Sequence, residues 1–291
     1  MTVQSIYRCE EKIVQHLEDL KLPLQALRLA HACLYLMEST REGTIHQYTL
    51  PRRAQMPAFV ATCAELLRIM GTAKAKDLRA LRDGIEQLRA TGIFDILSLN
   101  ETGRKLSFKP GYTLAQCATR LKNKPFALVD LEKIRRLRSA QHIYLYVRAE
   151  MVQRSDFPLF ELPHIRTDAG NWETQKRNWR SAALAVHKAL GVDLLLVPEQ
   201  DVFRDKVIRV KVKLSTQTSK WSPQKLYSGE TTVSAIVITG GLASMLSGAD
   251  YRSRRNWTCV GGPHKGALSM PFNTTGSRAK FLQMEPPAAT S

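Results

Sequence analysis

The sequence predicts an α+β protein in which two successive units, each a set of helices closed by a β-hairpin, precede a largely disordered C-terminal tail. Three observations carry this. Apolar residues recur at helical spacing through most of residues 1–92 and 112–191. Twice that spacing gives way to short apolar or alternating runs around a turn, at 93–108 and 193–214. After Leu214 both patterns decay, and residues 215–291 hold 8 of the 16 glycines among many Ser and Thr. The expected divisions are therefore 1–111, 112–214 and 215–291.

In the first unit, CEEKIVQHLEDL (9–20) is weakly helical. LPLQALRLAHACLYLMEST (22–40) has an apolar stripe through Leu24, Leu27, Leu34 and Met37. EGTIHQYTLP (42–51) alternates like a strand. MPAFVATCAELLRIMG (56–71) opens on Pro57 and stops at Gly71, the punctuation of a helix. AKAKDLRALRDGIEQLRATG (73–92) places Leu78, Leu81, Ile85 and Leu88 on one face and ends at Gly92. A hairpin follows: Ile93–Leu99, the turn Asn100-Glu101-Thr102-Gly103, and Arg104–Phe108.

The second unit repeats this order without residue-level identity. YTLAQCATRLKNKP (112–125) connects the two. FALVDLEKIRRL (126–137) runs from an apolar stretch into a helix, RSAQHIYLYVRAEMVQRS (138–155) is helical, and FPLFELPHIRT (157–167) is a short element broken by two prolines. NWETQKRNWRSAALAVHKALG (171–191) is a long amphipathic helix. In the hairpin after it, Leu194–Pro198 faces Lys206–Leu214. In the tail, the apolar patch at 233–240 is the segment able to dock on a folded unit.

A balance of 43 Lys+Arg against 26 Asp+Glu gives a formal charge of +17. Residues 1–214 carry 35 of the basic and 23 of the acidic residues, so most of the excess lies in the part that reads as folded. That makes a polyanion the default partner, because neutralising phosphates releases counterions. The five cysteines are scattered and never form a CxxC pair, so neither disulfides nor a zinc site is expected. No signal peptide is read in the polar MTVQSIYRCEEK, and no apolar run is long enough to span a membrane. The expected location is the cytoplasm.

Helix, helix, helix, basic-tipped hairpin is the order of a winged helix, whose last helix before the hairpin reads the major groove. In 171–191, Trp172, Trp179, Ala183, Val186 and Leu190 share the core face, while Arg177, Arg180 and Lys188 face outward. A solvated charged face is the ordinary reading of such a helix. Its position before a basic hairpin shifts the balance toward DNA. The candidate DNA-binding residues are Lys176, Arg177, Arg180 and Lys188 on this helix, with Lys206, Arg209 and Lys211 on the following strand. Arg79 and Arg82 on the corresponding helix of the first unit, and Arg104 and Lys105 at its hairpin, complete the set. The first helix is mixed, since Asp77, Asp83 and Glu86 balance its cations. Arg120–Pro125 and Lys133–Arg138 form a third basic cluster at the junction, read either as solvated or as a phosphate clamp.

These segments resemble the theta-type plasmid replication initiators. The likeness rests on 76–111, 126–146 and 171–213, about a third of the chain. It implies two tandem winged-helix domains and sequence-specific binding to repeated sites in double-stranded DNA at a plasmid origin. It further implies origin melting, recruitment of the host replicative helicase and initiator, and a homodimer that dissociates for initiation. The long tail departs from that pattern.

Catalysis is not expected, and neither a cofactor nor a metal. The seven histidines contain no His-x-His pair of the rolling-circle kind, and GGPHKGALS (261–269) lacks the GxxxxGK[ST] spacing of a phosphate loop. Two alternatives remain: a winged-helix transcriptional regulator, and a protein that binds nucleic acid without sequence preference.

Overall fold

The computed structural model describes residues 5–39, 58–72, 78–117, 125–162, 172–201, 206–215, 235–246, 258–259 and 268–269. The strand-like stretch expected at 42–51 and the basic run at 120–124 lie outside them.

The first half begins with strand β1 (Ile6–Glu10), then helices α1 (Glu11–Asp19) and α2 (Leu24–Ser39). Strand β2 (Phe59–Thr62) leads into helix α3 (Cys63–Met70). Helix α4 (Arg79–Arg89) precedes the hairpin of β3 (Phe94–Leu99) and β4 (Lys105–Pro110). These three strands form an antiparallel sheet in the order β2-β4-β3. The sequence reading of 56–71 as one helix is thus corrected. Phe59-Val60-Ala61-Thr62 alternates buried and exposed along β4, and Thr62 ends the strand by accepting the Glu65 amide as the cap of α3. A β-branched strand edge and a capping threonine outweigh the helical start suggested by Pro57.

After α5 (Tyr112–Cys117), the second half opens in the same way. Strand β5 (Phe126–Asp130) is followed by α6 (Leu131–Arg136), α7 (Ala140–Val152) and the short strand β6 (Leu159–Glu161). Helix α8 (Trp172–Leu190) precedes the hairpin of β7 (Asp193–Asp201) and β8 (Lys206–Ser215). The strands pair in the order β6-β8-β7, the same relative order as in the first half.

The sheet does not end at residue 214. Strands β9 (Ala235–Thr239) and β10 (Leu242–Leu246) extend it to β10-β9-β7-β8-β6. The apolar patch of the tail docks: Ala235, Ile236, Val237 and Ile238 are all buried, because β9 is a central strand with α8 packed over it. Farther along, β11 (Thr258–Cys259) pairs with β12 (Leu268–Ser269).

The two halves are fastened to each other. Strands β1 and β5, which open them, pair antiparallel, Ile6 opposite Asp130 and Glu10 opposite Phe126. Arg28 of α2 donates to the carbonyls of Arg135 and Leu137, 3.1 and 2.8 Å away, and so caps the end of α6. Arg135 in turn donates to the Ile69 carbonyl at 2.9 Å. Its stem crosses Gly71, whose φ of 76° closes α3 and where a Cβ would stand 2.8 Å from Arg135 Cγ. Tyr144 reaches the Leu17 and Leu22 carbonyls, and Arg148 grips buried Glu18 with two nitrogens. The buried apolar residues of both halves form one continuous cluster.

Candidate nucleic-acid interface

Helix α8 is the longest helix among the described residues, and it carries Lys176, Arg177, Arg180 and Lys188 against the single acid Glu173. Trp172, Trp179, Ala182, Ala183 and Val186 are buried and seat it against α7 and the sheet. The sequence-derived placement of both tryptophans in the core agrees. The opposite side of the helix runs through Thr174, Arg177, Ser181 and Lys188, all exposed. Arg177 and Lys188 make no ion pair among the described residues. Small Ser181 sits between them, so the ridge is cationic at both ends and low in the middle. That profile suits approach to a groove floor between two phosphate rows. Lys176 is half-buried toward the flank. Gly191, at φ 69°, closes the helix by donating to the His187 carbonyl at 2.7 Å.

Arg180 is exposed, but its Nη2 donates to the Ala243 carbonyl of β10 at 3.2 Å. On β8, Arg209 is bound to Glu199 and lies 3.3 Å from Glu161. Lys211 Nζ lies 2.5 Å from the same Glu199 carboxylate. Burial opposes ionisation of Glu199, yet hydrogen bonds from Lys211 and Arg209 outweigh it and hold the carboxyl below its ordinary range. Two of the three candidate cations on the second hairpin thus share one partly buried anion. Lys206 opens β8 opposite Asp201. The connecting residues 202–205 lie outside the described residues.

In the first half, Leu81, Gly84, Ile85 and Leu88 bury one side of α4 against α2. Gly84 allows that approach, since a Cβ there would stand 3.3 Å from the Gln25 carbonyl oxygen. Arg79 and Arg82 are exposed on the outer side, interleaved with exposed Asp83 and Glu86. Arg89 turns back to the Leu97 carbonyl, 2.9 Å away, and ties the helix to its hairpin. The hairpin tip is held by Asn100, whose side-chain oxygen accepts from the amides of Arg104 and Lys105 at 2.9 and 3.0 Å. Gly103 supplies the left-handed residue of that turn. Arg104 and Lys105 stand exposed at a rigid tip.

Of the junction cluster, Arg135 is committed to Ile69 and Glu132, and Arg136 and Arg138 are exposed. Sequence reasoning missed the acidic partners of the second hairpin. The signal lay in the register, because Glu199 and Arg209 face each other across β7 and β8.

A crystal structure of the Pi initiator protein in complex with iteron DNA superposes on this fold with a TM-score of 0.53. The two sequences are 16% identical, and the match spans 74% of this chain and 98% of the Pi chain. The chain shares its fold with this initiator protein. The resemblance read from the sequence thus extends to the tertiary structure. No family model matches the sequence, and no curated protein does. No helix among the described residues is long and apolar enough to cross a membrane.

Proposed function

We propose that the chain is a plasmid replication initiator that binds repeated sites in double-stranded DNA at an origin. The observation that carries this is the fold shared with an initiator captured on iteron DNA. The exposed cationic ridge of α8 and the net charge of +17 support it. In this reading each half is a winged helix: α4 with the β3–β4 hairpin, and α8 with the β7–β8 hairpin. Arg177 and Lys188 meet DNA from α8, Arg82 from α4, and Arg104 and Lys105 rest on phosphates. Arg79, Lys176 and Lys206 lie on the same elements and are assigned to the same surface. Origin opening, recruitment of the host helicase and initiator, a homodimeric form, a cytoplasmic site of action and the lack of catalytic chemistry belong to the same proposal.

Footprinting the full chain on the DNA that flanks its gene tests it. Evenly spaced protected repeats, roughly two helical turns apart, are expected. A single palindrome would indicate a transcriptional regulator. Uniform protection that merely fades with salt would indicate binding without sequence preference. Arg177→Ala is expected to weaken the repeat complex by about tenfold or more, in line with roughly 1–3 kcal/mol for a base-directed arginine. Equal losses on repeat and mixed-sequence DNA would count against groove reading by α8.

A further inference from the structure

We infer that the β9–β10 hairpin is a brace for α8, and that Arg180 acts as a positioning residue on that brace rather than as a DNA ligand. The inference rests on the reading of α8 as a groove helix, and it concerns residues beyond the second hairpin.

The observations come from three independent contacts. At one end, Arg180 donates to the Ala243 carbonyl, 63 residues later in the chain. At the other, the Gly240 amide donates to Asp193 Oδ1 at 3.1 Å. The same carboxylate oxygen lies 3.3 Å from His187 Nδ1, which also donates to the Val192 carbonyl at 2.9 Å. Gly241 closes over this ring, and a Cβ there would stand 3.6 Å from His187 Nε2. Between these ends, β9 is hydrogen-bonded to β7, Leu194 opposite Ile238 and Leu196 opposite Ile236, and Ile236 and Ile238 are fully buried.

Arg180 and His187 lie two turns apart on one flank of α8, about 10 Å along its axis. Gly240 and Gly241 form the turn of the β9–β10 hairpin, both at positive φ, and Ala243 is the second residue of β10. Strand β10 therefore runs beside α8 in the opposite direction and grips it at two heights. Arg180 lies on that flank, between the buried face and the exposed ridge of Arg177, Ser181 and Lys188. A guanidinium held by a backbone carbonyl fixes the rotation of the helix, and rotation decides which side chains a groove would meet.

Two measurements on the full chain test this with Lys105→Ala, Arg180→Ala and Asp193→Asn. The first uses no DNA: amide hydrogen exchange across α8. Faster exchange in residues 180–190 of both R180A and D193N is expected, and protection equal to the parent chain in both would overturn the brace. The second compares affinity over a salt series for a mixed-sequence duplex of about 30 base pairs and for duplexes that the parent chain selects from a random pool. K105A should lower the slope of log K against log salt by about 1 on both DNAs, as the loss of a cation at the phosphates would. R180A should leave the slope on the mixed-sequence duplex unchanged and still weaken the selected duplexes about tenfold, and D193N should follow it. A slope reduced by about 1 in R180A, or no change on selected DNA, would overturn the positioning role. Should the parent chain bind neither DNA, the proposed function fails, while the exchange measurement still judges the brace.

Discussion

His31 is a fully buried histidine whose Nδ1 accepts the Tyr7 hydroxyl, and burial pushes its pKa down to about 3. Unfolding exposes the ring and restores its ordinary value of 6.5. Between those limits the unfolded chain binds a proton that the folded chain refuses. Stability is therefore expected to fall as pH drops from about 6.5 toward 3, by up to ~1.4 kcal/mol per pH unit from this group alone. Denaturant unfolding at a series of pH values measures the slope, and the His31 imidazole resonances identify its source. A midpoint near 6.5 for this ring in the folded protein would sink the argument. The sequence offered no hint of this, because His31 sits in the same apolar stripe as its neighbours Leu27 and Leu34. A buried polar group is recognisable only when its partner, here 24 residues away, is known.

At the scale of elements, the two hairpins differ in how they hold their charge. Arg104 and Lys105 project from the first, while Arg209 and Lys211 of the second converge on Glu199. Replacing Glu199 with Gln keeps the shape and removes the anion. Affinity for mixed-sequence DNA should rise several-fold, with a salt slope steeper by about 1–2, because two cations become available to phosphates. A salt titration of the parent and E199Q proteins checks this, and unchanged affinity and slope would show that the β8 cations never meet DNA. The same variant reports on acid stability. Glu199 ionises more readily folded than unfolded, so its contribution is fully present above the ordinary carboxylate range and is lost as pH falls below that range through the lower folded value. The elements themselves were legible where the spacing was strong. Leu81, Ile85 and Leu88 on α4, and Trp172, Trp179, Ala183 and Val186 on α8, are buried as their periodicity required. Less legible was 56–71, where four strand residues and eight helical ones have similar apolar content.

For the whole molecule, the decisive feature is that the halves share one core and a set of polar ties. The tie between Arg148 and Glu18 is the most buried ion pair across the junction, with side chains 15% and 3% exposed. Glu18→Gln leaves a guanidinium largely buried with no counter-charge from its partner. A loss of about 3–5 kcal/mol is expected. Because both halves depend on the junction, tryptophan fluorescence and far-ultraviolet circular dichroism should report one coincident transition at a lower midpoint. Separation into two transitions would mean that the halves fold independently and that the junction is an ordinary domain contact.

By itself, the amino-acid sequence determined which residues turn inward, where the hairpins at 93–108 and 193–214 lie, the repeated order of elements and the basic character of the surface. Each of these is encoded within a few residues, through periods of two and 3.6, through turn residues and through composition. Tertiary structure alone decided the partners. It joined β1 to β5, carried 235–246 onto the sheet, gave Arg180 a carbonyl and set Arg209 and Lys211 on one carboxylate. Those contacts link residues 10 to more than 100 positions apart, and no local pattern can say which distant group a long, flexible cation will find.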